Sequence, residues 1–116
     1  MPISNLEDRT FEFAKRVRAF CRKLKWDSIN IEDIKQVVRA SGSVAANYIE
    51  ANENLGEKDF KMKIKICRRE AKEAGMFLRL VDTGNGEEME TERTFLVQET
   101  VEFRKIFTTI INRSGN

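Results

Sequence analysis

Between residues 60 and 81, Phe60, Ile64, Cys67, Ala71, Ala74, Leu78 and Val81 recur at alternating intervals of four and three. A chain turning about 100° per residue gathers such positions into one stripe, so this spacing is the mark of an amphipathic α-helix. The competing reading is a strand with one charged face. It holds only from Phe60 to Ile66, because "CRREAKEAG" then destroys the period of two. Gly56 can serve as the N-cap, with Asp59 near the positive end of the helix dipole.

Three further segments carry the same signal. Leu6, Thr10, Phe13, Val17, Phe20 and Leu24, widened by Ala14 and Cys21, predict a helix over about 5–25, opened by Ser4 and Glu7 at capping-box spacing. "WDSIN" breaks it, and Asn30 or Ser28 can cap the next. Over about 30–54, Ile34, Val38, Ser41, Ala45, Tyr48 and Asn52 step by four and three through the small-residue run "ASGSVAANYIEA". Gly42 costs a helix about 1 kcal/mol relative to alanine. Close approach of a second helix is the favoured compensation, and a local kink is the alternative. "DTGNGEE" is a turn, with Gly84, Asn85 and Gly86 tolerating positive φ. The last segment, about 88–113, is apolar around roughly half its circumference, more than a monomeric bundle needs.

Four helices near 57–81 and at these other positions, joined by short turns, predict an all-α, up-down-up-down antiparallel four-helix bundle over residues 1–116. The single proline, Pro2, lies outside every helix, and 41% hydrophobic with 34% charged residues argues against disorder. No apolar run reaches the roughly 20 residues that span a bilayer. The start of the chain has no apolar signal segment, so the cytoplasm is the expected location. Cys21 and Cys67 fall on apolar faces and are expected to be buried, reduced thiols.

Charge alternates by segment. Residues 1–25 hold seven basic and three acidic residues, 26–56 two and five, 57–80 eight and four, and 81–116 four and seven. In the expected topology each basic helix therefore has two acidic neighbours. Histidine is absent, which removes the commonest general base and metal ligand, and no glycine-rich phosphate loop appears. Neither an enzyme, a cofactor nor a metal is expected. Glu70 and Glu73 lack the histidine that a di-iron bundle requires. Asn47 and Glu50, one turn apart, are expected to hydrogen-bond across a helix pair or a subunit contact, and Asn52 to fix register from the core stripe.

Two surface features carry functional readings. Lys61, Lys65, Arg68, Lys72 and Arg79 fall on a stripe beside the apolar face of the third helix. Such a stripe is either a solvated face balanced by acidic neighbours or a contact surface for a phosphate backbone, which carries no sequence code. Arg18, Arg22 and Lys25, with Lys15, form a second stripe on the first helix. Apolar residues away from the core stripes, namely Met62, Met76 and Leu80 on the third helix and Leu96, Phe107 and Ile111 on the fourth, are expected to meet further copies of the chain.

"KDFKMKIKICRREAKEAGMFLRL", with Lys58–Asp59–Phe60, Ile64–Lys65–Ile66–Cys67 and Arg68–Arg69–Glu70–Ala71–Lys72–Glu73, resembles the third helix of the bacterial 23S rRNA intervening-sequence proteins. Ser43–Val44–Ala45–Ala46–Asn47–Tyr48–Ile49–Glu50–Ala51 is similar to a second stretch of that family. Ala45 and Ala51 stand where many members have proline and glycine, and Gly75–Met76–Phe77 replaces a more aromatic stretch. The resemblance implies a four-helix bundle that assembles as a ring, usually a homopentamer. It also implies kinship with the accessory variability determinants of diversity-generating retroelements, which bind nucleic acid and a reverse transcriptase. RNA, DNA, a reverse transcriptase and the chain itself are thus the expected partners.

Overall fold

A computed structural model describes residues 5–114 and contains four α-helices: α1 Leu6–Arg22, α2 Asn30–Asn52, α3 Glu57–Leu80 and α4 Glu87–Arg113. Each packs on the next in sequence, and α4 closes back on α1. The molecule is flattened, about 45 × 32 × 19 Å. Cross-helix pairs fix the directions. Arg9 meets Glu99 and Arg16 meets Glu92, while Arg39 meets Glu73 and Lys63 meets Glu50. Rising numbers on one helix pair with falling numbers on its neighbour, so these neighbours are antiparallel.

The helix ends follow local chemistry. Asn5 caps α1, its side-chain oxygen accepting the Asp8 amide at 2.8 Å. Ser4, expected to open a capping box, lies outside the described residues, and Glu7 instead accepts a hydrogen bond from Asn52. The first helix stops at Arg22, earlier than its apolar period suggested. Lys23 bonds back to Phe20 and Leu24 to Cys21 in a tightened last turn, and the Trp26 indole donates to the Cys21 carbonyl. Both features use acceptors that a helix end leaves orphaned. Before α2, Asp27 rather than Ser28 or Asn30 accepts free amides, those of Ile29 and Asn30. The Asn30 side chain bridges two loops, donating to the Lys25 and Asp82 carbonyls and accepting the Asp82 amide.

The core runs the length of the molecule through Val17, Ile34, Val37, Val44, Ile64 and Leu78. An aromatic chain adds to it: Phe13 meets Phe103 edge-on at 5.3 Å, and Phe103 is followed by Phe107 and then Tyr48. On α2 the buried face is Ile34, Val37, Ala40, Ser41, Val44 and Ala51. It is rotated from the expected one because α2 is flanked by both α1 and α3 and must bury small residues toward each. Asn52, expected on the core stripe, is exposed at the helix end. α2 runs unbroken through Gly42. A methyl group there would sit 3.1 Å from the Arg18 guanidinium, so an arginine rather than a second backbone fills the space.

Leu96 and Phe107, expected at an interface between copies, are wholly buried in the chain's own core. They belong with Thr100 and Phe103 to the narrow inward stripe of α4. The excess apolar character of α4 lies elsewhere, in exposed Phe95 and half-buried Val97, Val101, Ile110 and Ile111. Both cysteines are free and buried; desolvation pushes the Cys21 thiol up to about 11 and Cys67 to about 12. Neither is a thiolate near neutral pH, so neither is a ready nucleophile.

Candidate nucleic-acid interface

α3 and α4 approach closely at Gly75. A Cβ there would lie 2.5 Å from the Thr100 hydroxyl. Further along the seam, Arg68 donates to the Thr108 hydroxyl at 3.2 Å. These two pairs set an antiparallel register that brings the C-terminal half of α4 against the N-terminal half of α3. Outside the seam the two helices enclose a groove of about 830 Å³. Its α3 wall carries Lys65, Arg68, Arg69 and Lys72; its α4 wall carries Arg104 and Lys105, with Val101, Thr108 and Thr109 between them. No carboxylate lines this part. A second stretch of about 480 Å³ continues past Gly75 to Arg79, over the apolar floor of Met76, Val97 and Val101; one carboxylate, Glu73, lines it and is paired with Arg39 of α2.

Five of these cations, Lys65, Arg68, Lys72, Arg79 and Arg104, have no carboxylate among the described residues within ion-pair distance. Arg69 and Lys105 make only long contacts, each 3.7 Å, to Glu70 and Glu102. Like charges crowded on two facing helices raise the local potential, and an anion that enters relieves their mutual repulsion.

The opposite seam of α4 is built otherwise. Arg9 and Arg16 on α1 and Lys23 at its C-cap, seven residues apart, meet Glu99, Glu92 and Glu88 at 2.7, 2.6 and 3.8 Å. The first two pairs are bidentate. Hydrogen bonds from Arg16 hold the Glu92 carboxyl below its ordinary range, and Glu99 raises Arg9. Arg16 also lies 3.7 Å over the Phe95 ring.

The residues marked in the sequence therefore separate. Lys65, Arg68, Lys72 and Arg79 line the groove, and Met76 forms part of its floor. Lys61 does not line it; it is half-buried one turn before Lys65. Arg18 is turned into the α1–α2 seam, donating to Ala14 and Val38 carbonyls and the Ser41 hydroxyl. Arg22, at the end of α1, and Lys25, in the following loop, are exposed, but α1 and α3 do not pack on each other, so they do not join the groove. Glu70 and Glu73 share Arg39. Glu50 pairs with Lys63 across α2–α3, whereas Asn47 bonds within its own helix, to Ser43. Among the described residues no group of three or more acidic or cysteine side chains is arranged to hold a metal, and no helix is long and apolar enough to cross a membrane.

Arg69, Arg104 and Lys105 are groove cations outside the two stripes expected from the sequence. Residues 104 and 105 are the one adjacent basic pair in α4, but only the α3–α4 register reveals what it faces.

A crystal structure of a protein of unknown function from the S23 ribosomal protein family of Bacteroides thetaiotaomicron VPI-5482 superposes with a TM-score of 0.78. It is 26% identical, and the match covers 92% of this chain and 98% of that one. This chain is a structural relative of the S23 ribosomal protein family. The resemblance carried by residues 43–51 and 58–73 thus extends to the S23 fold over nearly the whole chain. No protein-family model matches the sequence, and no curated protein matches it significantly.

Proposed function

We propose that this chain is a non-enzymatic, cytoplasmic, homo-oligomeric helical bundle that binds nucleic acid, or an enzyme acting on nucleic acid such as a reverse transcriptase, through its basic helix faces. The observation that carries the reading is the α3–α4 groove, where five cations stand without carboxylate partners between two helices. Lysine and arginine arrayed this way suit phosphate oxygens. Assembly into a ring, expected as a pentamer from the family resemblance, is supported by exposed Met62, Met76 and Leu80, at 60%, 45% and 57% of full exposure, and by half-buried Ile111. A ring would repeat the groove around its circumference and multiply weak binding.

Neutralising Lys65, Arg68 and Lys72 together with glutamine tests the reading. Affinity for structured RNA and duplex DNA should fall alike for all sequences. Sedimentation tests assembly: the wild type should sediment as a closed oligomer and a Met62→Glu, Leu80→Glu variant as smaller species. Absence of binding at low salt sinks the nucleic-acid reading, and a monodisperse single subunit sinks the ring.

A second reading is a protein-interaction scaffold that binds no nucleic acid. It is favoured by apolar side chains far from the groove, Trp26 and Ile29 at one end of the bundle and Leu55 at the other. Recovery of a protein partner after nuclease treatment supports this reading over the first.

A further inference from the structure

Resting on the nucleic-acid reading above, and narrowing it, we infer that the α3–α4 groove takes a double-helical nucleic acid rather than a single strand and holds it by the phosphate backbone alone. The groove offers bases no aromatic ring to stack on. Neither stretch is lined by an aromatic ring. The rings that α3 and α4 do carry are committed elsewhere: Phe103 and Phe107 are buried, Phe60 and Phe77 pack on the core, and Phe95 lies under Arg16. Proteins that hold single strands set successive bases on such rings. The groove offers base edges little to read either. Its uncharged polar side chains are threonines, and Thr108 already accepts Arg68.

What it offers is charge at fixed spacing. Lys65, Lys72 and Arg79 stand seven residues apart on one helix, about 10.5 Å per step and about 21 Å in all. Arg104 faces them from the other wall. Both walls are continuous α-helices, so the cations form a straight and stiff array. A duplex is also straight and stiff, and it carries about one charge per 1.7 Å of axis, near twelve along this length. A single strand is sparser in charge and must be straightened to match, with no ring to offset that cost.

The test uses the full-length protein and dye-labelled probes of about 24 nucleotides or base pairs: a DNA duplex, an RNA duplex, oligo-dT and oligo-rU, titrated by anisotropy across salt. Both duplexes should bind at least about tenfold more tightly than either single strand. Five cations predict a log–log salt slope for duplex DNA near −4.5, at about −0.9 per neutralised phosphate. In Lys72→Gln, Arg104→Gln that slope should shrink by about two, with an unchanged melting curve, since neither side chain pairs with another part of the fold. Single strands binding as tightly as duplexes would overturn the duplex inference and leave the nucleic-acid reading standing. No binding of any probe at low salt would remove that reading itself. Duplex binding unaffected by the double variant would place the site elsewhere and overturn the inference. The two duplex arms distinguish a DNA from an RNA helix as the better occupant.

Discussion

α4 presents opposite characters to its two neighbours. Toward α1 it offers Glu88, Glu92 and Glu99, each met by a cation of the seven-residue series Arg9, Arg16 and Lys23. Toward the outer side of α3 it offers Arg104 and Lys105, which stand against further cations. Segment charges alone predict that both basic helices are neutralised by acidic neighbours. Only α1 is neutralised by α4. The ion pairs that α3 makes with another helix run to α2, through Arg39 and Lys63, and none among the described residues crosses from α3 to α4. Net charge per helix thus says little about a seam; what decides is which turn of one helix meets which turn of the next.

The contrast can be broken at several levels. The largest effect is expected from Phe103→Ala, which removes the ring that Phe13 and Arg9 pack against at the α1–α4 seam. A buried phenylalanine truncated to alanine costs about 3–5 kcal/mol, visible as a loss of denaturant midpoint. Gly75→Ala acts on the other seam. Its methyl would press on Thr100 and destabilise the fold by about 1–3 kcal/mol. In a Thr100→Ala background the sign should reverse, because the hydroxyl is gone and alanine gains up to about 1 kcal/mol of helix propensity over glycine. If Gly75→Ala is harmless with Thr100 in place, the two helices do not meet there.

Smaller still is the Arg16–Glu92 pair. Both side chains are partly exposed, so a double-mutant cycle should return about 0.2–1 kcal/mol. The smallest effect is its pH dependence. Glu92 titrates below its ordinary 4.5, chiefly through the Arg16 hydrogen bonds. A depressed carboxylate stabilises the fold fully above that ordinary value and loses the contribution as pH falls through the lowered one. Denaturation midpoints between pH 6 and pH 3 (roughly the span over which a carboxylate titrates) should therefore fall less steeply in Glu92→Gln than in the wild type. Glu90, lowered by Thr83 and Arg93, contributes in the same direction and remains in both proteins.

Much of the fold was legible in the sequence. The stripe from Phe60 to Val81, with Gly56 as the N-cap, places a helix near 57–81 where α3 runs Glu57–Leu80, and Ile64, Cys67, Ala71, Ala74 and Leu78 are all fully buried. Periodicity sufficed there because α3 carries its apolar residues in one narrow band. It fails on α4, where Leu96 and Phe107, expected at the surface, are wholly buried. An apolar arc that wide does not say which part of it turns inward, and only packing against α1 and α3 selects Phe103 and Phe107 over Phe95 and Ile111. The groove was half legible. The α3 wall stands in one continuous repeat, but Arg104 and Lys105 lie more than 30 residues further along the chain. Their place opposite Lys72 depends on the slide between two helices, which Gly75 and Thr100 set at close range. Arg18 was misplaced because a long side chain on a polar face can still fold back over a neighbouring glycine, here Gly42.

The side chain of Asn30 fastens the α1–α2 loop to the α3–α4 loop, so one pole of the bundle is stitched. At the other pole the α2–α3 link passes through Leu55, 94% exposed, and Gly56 at φ 137° with open space around it. That asymmetry makes residues 54–56 the natural place to graft a reporter peptide or to reopen the chain for circular permutation, while the same graft beside Lys25 or Asp82 would unpick the knot.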